Sequence, residues 1–117
     1  MARIKIKDLL LRTYIGFNPD ELVNKQDVVI NIEIETEISK QAMEADEPVG
    51  ILDYKTITKK VIKLVQEGRF KLLEVLTQKI LDLIMEDGKV QWARVEVDKP
   101  HALRFAESVS LTMESSR

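Results

Sequence analysis

Val28-Val29-Ile30-Asn31-Ile32-Glu33-Ile34-Glu35-Thr36-Glu37-Ile38 alternates apolar with polar or opposite-facing residues along its whole length. Successive side chains of a β-strand point to opposite faces, so this run makes one aliphatic face and one acidic face. Upstream, Ile4 and Ile6 alternate with Arg3, Lys5 and Lys7, which predicts a second half-buried strand. Between Leu9 and Gln26 the turn residues Gly16, Asn18 and Pro19 predict a connection. Downstream the alternation is lost from Ser39 to Leu52, where Asp46, Glu47, Pro48 and Gly50 mark a loop.

Helical spacing takes over next. Asp53 is placed to cap a helix carrying Ile57, Val61, Leu64 and Val65, which Gly68 ends. A second helix from near Phe70 carries Leu72, Leu73, Leu76, Ile80, Leu83 and Ile84 and stops at Gly88. Val95 and Val97, then Val109, Leu111 and Met113, return to strand alternation. The order ββααββ predicts an α+β domain over residues 1–117, with an antiparallel four-stranded sheet and two helices on one face. The face of Asn31, Glu33, Glu35 and Glu37 stays polar. An open sheet leaves two unpaired edges, and pairing them with further subunits predicts a ring-like homo-oligomer.

Composition narrows the functions. A chain of 117 residues, 44% hydrophobic and 32% charged, can bury one core, and with 5% aromatics that core is aliphatic. A net charge of −2 lacks the basic excess of a nucleic-acid binder. No apolar run approaches the ~20 residues that span a bilayer, so no membrane partner is expected. The absence of cysteine and a single histidine give no basis for a disulfide, a thiolate nucleophile or a metal site. A cytoplasmic protein without metal or cofactor is the expectation.

The run Val97-Asp98-Lys99-Pro100-His101 draws attention first. Pro100 has no backbone N–H, so the strand leaves the sheet there and delivers Lys99 on a rigid element with space beside it. Lysine carries protons when its pKa is lowered, and histidine titrates near neutrality. Glu74, in Phe70-Lys71-Leu72-Leu73-Glu74, interrupts an apolar run, and such a carboxylate calls for a partner. The positive end of the helix dipole also favours an acid at that place. Glu21, in the connection before the long strand, and Tyr54, beside the Asp53 cap, complete the candidates. By themselves a solvated loop acid and a half-buried aromatic are the plainer readings of these two. Residue types and spacing lead to a small-molecule site at subunit interfaces.

These motifs resemble those of a known family. Ile15-Gly16 with Glu21 and Gln26, then Leu52-Asp53-Tyr54, Phe70-Lys71-Leu72-Leu73-Glu74 and Asp98-Lys99-Pro100, resemble in order the tunnel-fold dihydroneopterin aldolase/epimerase family. The resemblance runs from Ile4 to about Met113. After Pro100 the text His101-Ala102-Leu103-Arg104-Phe105-Ala106-Glu107-Ser108-Val109-Ser110 departs from aldolases, which continue with a small residue and carry glycine in the following strand. It is similar to the epimerase branch.

The resemblance implies the roles. Glu74 anchors the pterin ring through paired hydrogen bonds, with backbone groups of Leu73 and Glu74 adding contacts. Tyr54 arrives from a neighbouring subunit. Lys99 is the acid/base at the 2′-hydroxyl, through a water, and Glu21 positions that water or the lysine. His101 and Arg104 hold the phosphorylated fragment. The implied activity is inversion at C2′ of 7,8-dihydroneopterin triphosphate, without a cofactor. The alternatives are an aldolase releasing 6-hydroxymethyl-7,8-dihydropterin and glycolaldehyde, and a non-catalytic pterin-binding oligomer. The implied assembly is an octamer of two stacked tetrameric rings.

Overall fold

The structure, a computed structural model, describes residues 1–117. Its elements are β1 (Ala2–Ile15), α1 (Pro19–Val23), β2 (Gln26–Thr36), α2 (Lys40–Ala45), α3 (Tyr54–Glu67), β3 (Arg69–Phe70), α4 (Leu73–Met85), β4 (Val90–Pro100) and β5 (Ser108–Ser116). The sheet order is β3-β1-β2-β4-β5. Each neighbouring pair of the four long strands is antiparallel, as the sequence predicts, and β3 adds two residues parallel to the end of β1.

β2 is the centre of this sheet. Its inward residues Val28, Ile30, Ile32 and Ile34 are fully buried. They meet Val95 and Val97 of β4 and the helix residues Val61, Val65, Leu76, Ile80 and Ile84 in one apolar cluster. α3 packs over β1 while α4 covers β4 and β5, so both long helices lie on the apolar face. On the other face Glu33 pairs with Lys5 at 3.4 Å, and Arg3 bonds Glu35 beneath the Trp92 ring. That face is polar because its charges neutralise one another across the strands.

Besides β3, which makes the sheet five-stranded where four strands were expected and moves the start of α4 from near Phe70 to Leu73, three features depart from the sequence reading. β1 continues to Ile15, where a connection was expected from Leu9 onward. The reason is a bulge between Ile6 and Leu9, with Asp8 in the left-handed region at φ 52°. One extra residue shifts the inward set from Ile4 and Ile6 to Leu9, Leu11, Thr13 and Ile15, so a single period of two misses the second half. Asn31 on β2 accepts the Asp8 N–H at 2.9 Å and fixes the bulge. Two short helices, α1 and α2, occupy stretches read as loop. Ile38, counted with the buried face, lies beyond the end of β2 and is exposed.

Helix boundaries follow their caps. Asp53 accepts the Thr56 N–H at 3.1 Å and the Thr56 hydroxyl at 2.8 Å, and Gly68 ends α3. β4 ends at Pro100, whose last pairing is with Ser108. No helix is long and apolar enough to cross a membrane.

Because Ile32 is fully buried at the centre, Ile32→Ala should lower unfolding free energy by about 2–5 kcal/mol. Urea unfolding at a fixed protein concentration measures it, and a loss below about 1 kcal/mol would contradict this packing.

Candidate active site

Lys99, the penultimate residue of β4, donates to Glu21 Oε2. Both side chains are withdrawn from solvent, at 14% and 16% exposure. A buried ion pair is tolerable only when its remaining polar atoms are bonded. For Glu21 they are. The Asn18 N–H donates to Oε1 at 3.3 Å, and Gln26 Nε2 donates to Oε2 at 3.3 Å and to the Ile15 carbonyl at 3.0 Å.

Local sequence explains why the carboxylate is there. Asn18 Oδ1 accepts the Glu21 N–H at 2.9 Å while Glu21 reaches back to the Asn18 N–H. This reciprocal capping box, with Pro19 at the first helical turn, nucleates α1 immediately before β2. The Asn18-Pro19-Asp20-Glu21 spacing carries that signal, although these residues read first as a turn. The hydrogen bond from Lys99 holds the Glu21 carboxyl below the ordinary carboxylate range. Gln26 and the Asn18 N–H act in the same direction, and burial opposes them.

Glu74 stands in the first turn of α4 at the same end of the sheet. β3 pairs with Tyr14 and Ile15, Phe70 accepts the Gly16 N–H at 2.9 Å, and α4 begins three residues later. The α4 cap residue, Leu72, has no side-chain acceptor, so the Leu73 and Glu74 N–H groups face outward without a partner. The Glu74 carboxylate is exposed and makes no ion pair within the chain. Its apolar neighbours Leu72 and Val75 are also at the surface, 45% and 40% exposed. The expected acid among leucines is therefore a surface cluster. Beside it, Arg69, Phe70 and Lys71 line both a cleft of about 160 Å³ that reaches Gly16 and Glu21, and an open groove of about 550 Å³ with Phe17, Leu72 and Val75.

Tyr54 is elsewhere. It lines a groove of about 460 Å³ with Ile4, Ile38, Met43, Ile51 and Leu52, beside the start of β1 and the end of β2. The 14 residues of α3 separate it from Arg69, about 20 Å at a rise of 1.5 Å per residue. This groove is the better-formed apolar one, yet it holds neither Lys99 nor Glu21. Lys99 and Glu21 stand together at the ion-pair end, and of Glu21, Tyr54, Glu74 and Lys99 this groove holds Tyr54 alone. His101 and Arg104 sit in the turn between β4 and β5. His101 is exposed with its backbone at φ 62°, and the Arg104 guanidinium lies 5.3 Å from the ring of the fully exposed Phe105. No group of three or more histidine, aspartate or glutamate side chains is arranged to hold a metal ion.

Comparison with known proteins adds to this geometry. The dihydroneopterin aldolase (FolB) family model matches residues 4–114. The dihydroneopterin triphosphate 2′-epimerase of Pseudomonas aeruginosa is 56% identical, over 100% of this chain and 94% of its own. The Escherichia coli K12 protein of the same name is 47% identical, over 99% of this chain and 96% of its own. The crystal structure of E. coli dihydroneopterin aldolase in complex with neopterin superposes with a TM-score of 0.91, at 27% identity, over 99% of this chain and 100% of that one.

The lowered Glu21 pKa fixes the sign of an acid response. Ionised Glu21 stabilises the fold in full above the unfolded-state value near 4.5, and this contribution disappears as pH falls through the folded-state value. Thermal melts of the protein and of Glu21→Gln should therefore differ in full above pH 4.5 and converge as pH falls through the lower folded-state value. A constant offset at every pH would remove the ion pair from this role.

Proposed function

The chain belongs to the dihydroneopterin aldolase family, and on that premise we propose that it is an isomerase inverting C2′ of 7,8-dihydroneopterin triphosphate. One contrast carries the choice of reaction: identity is far higher to the epimerases than to the aldolase of the same fold. The product is 7,8-dihydromonapterin triphosphate. Aldolase activity is the second reading, favoured by the full-length superposition on the neopterin-bound enzyme.

The side chains support a retro-aldol route. The ring edge is taken by the Glu74 carboxylate, with the unpartnered Leu73 and Glu74 N–H groups adding donors. Lys99, through a water, takes the proton from the 2′-hydroxyl, with Glu21 fixing the ammonium. The C1′–C2′ bond then breaks, its electrons pass into the pterin ring, and ring N5 gains a proton. An enol-like pterin and an aldehyde bearing the triphosphate remain together. Re-addition to the other aldehyde face inverts C2′, whereas protonation of C1′ and loss of the aldehyde is cleavage. The two activities share an intermediate and differ in its partition.

The assembly follows from the separation of parts. Lys99, Glu21 and Glu74 occupy one end of the sheet, and Tyr54 is beyond reach at the other. A second copy brings Tyr54 to the substrate, so sites form between subunits. The octamer of two stacked rings is the size the family resemblance implies. His101 and Arg104, free of acidic partners, are the donors we assign to the phosphorylated fragment. A triphosphate substrate does not cross membranes unaided, which fits a cytoplasmic enzyme of a small molecule.

Incubation with 7,8-dihydroneopterin triphosphate, followed by chromatography that resolves the epimers from 6-hydroxymethyl-7,8-dihydropterin, should yield mainly the 2′ epimer. Lys99→Ala should abolish it while neopterin still binds. Mainly cleavage product would make the protein an aldolase, and binding without turnover a pterin carrier. Arg104→Ala should raise cleavage relative to epimerisation by about tenfold, the shift produced by ~1.4 kcal/mol between two barriers. An unchanged product ratio would remove Arg104 from substrate retention.

A further inference from the structure

We propose that Gly16 is a positioning residue for the reaction: its missing side chain is the slot in which the Glu21 carboxylate lies, and the slot thereby sets where Lys99 presents its ammonium. The inference rests on the reading of Lys99 and Glu21 as the proton-handling pair. A Cβ added at Gly16 would overlap Cδ, Oε1 and Oε2 of Glu21, closer than any real Cβ approaches another group. The overlap falls on the carboxylate itself.

The walls of the slot are fixed on every side the structure describes. The Gly16 N–H is bonded to the Phe70 carbonyl at 2.9 Å, which ties the strand end to β3. The preceding carbonyl, of Ile15, accepts Gln26 Nε2, and the same amide group donates to Glu21 Oε2. The Asn18 N–H closes the Oε1 side. With these contacts made, the carboxylate cannot withdraw from Gly16 without losing Gln26, Asn18 or Lys99. The charged groups around it are Lys99 from β4 and, along the cleft it shares, Arg69 and Lys71.

Gly16 also has φ +119°, a conformation that L side chains rarely adopt. Turn geometry and carboxylate packing therefore both call for glycine, and a double-mutant cycle separates them. Gly16→Ala, Glu21→Gln, Glu21→Ala and Gly16→Ala/Glu21→Ala are compared as assembled proteins for kcat, KM, neopterin binding and the pH profile of kcat. Misplacing a catalytic group by about 1 Å can lower rate by ~10²-fold. Gly16→Ala should therefore lose about 10²-fold in kcat with neopterin affinity changed less than about threefold, and its acid limb should shift. The double variant should turn over no more slowly than Glu21→Ala alone.

A double variant at least about tenfold slower than Glu21→Ala would show that Gly16 acts independently of the carboxylate and overturn the proposal. Full kcat in Gly16→Ala would do the same. Full kcat in Glu21→Gln would instead sink the pair itself, and this inference with it. Should Gly16→Ala fail to fold, Gly16→Ala/Glu21→Ala decides. Recovery of folding on removing the carboxylate supports the slot, and continued failure puts the whole demand in the backbone angle and overturns it.

Discussion

The structure depends on β2 being clamped from both sides in a single register. Pairing with β1 runs from Gln26 to Thr36 and pairing with β4 from Val29 to Thr36, around a row of four fully buried aliphatic side chains. A slip of one residue would turn Ile30, Ile32 and Ile34 out to solvent and bring Glu33 and Glu35 into the core. That penalty fixes both ends of the sheet at once, roughly 33 Å apart at about 3.3 Å per residue. Gln26 at one end touches Glu21, and Thr36 at the other lines the groove of Tyr54. The distance that the register enforces keeps Tyr54 apart from Lys99 and Glu21 within one chain.

What the sequence disclosed, and what it withheld, follows from how local each signal is. The alternation of β2, the Asp53 cap, the Gly68 stop and the exit at Pro100 are written in neighbouring residues and appear in the fold as read. The second half of β1 was hidden because its period changes phase at Asp8, and the residue that stabilises the change, Asn31, lies on another strand. β3 was hidden for a related reason: two residues have no period, and only their pairing with Tyr14 and Ile15 makes them a strand. α1 was legible in principle, since Asn18 and Glu21 have capping-box spacing, but Gly16 and Pro19 nearby favour a turn with equal force.

The site shows the same division. That Lys99 ends a strand is a sequence fact; that it meets Glu21, 78 residues earlier, is a consequence of the β1-β2-β4 order. Glu74 was singled out for its leucine neighbours, on the argument that an acid there needs a partner. Within the chain it has none, and Leu72 and Val75 are as open to solvent as the acid is. The leucines beside the acid are there, but the burial belongs to Leu76 and Ile80 further along α4. An apolar rim around an unpaired carboxylate and two unpaired helix N–H groups is suited to covering by a flat heteroaromatic ring that offers both donors and acceptors.

On the route proposed above, one site chooses between two outcomes. The cleavage and re-addition steps need the same proton handling, so a pair held as rigidly as Lys99–Glu21 cannot by itself favour either. Release differs from re-addition in the protonation of C1′ and the escape of the aldehyde, so groups that hold the aldehyde in place bias the choice toward inversion. The turn after Pro100 leaves the sheet directly beyond Lys99, and its base is fixed by Ser108 Oγ donating to Asp98 at 3.0 Å. A rigid strand end for proton transfer, followed at once by an exposed turn carrying His101 and Arg104, separates the shared chemistry from the part that can differ. Selectivity can then change through the turn without disturbing the register on which the ion pair depends.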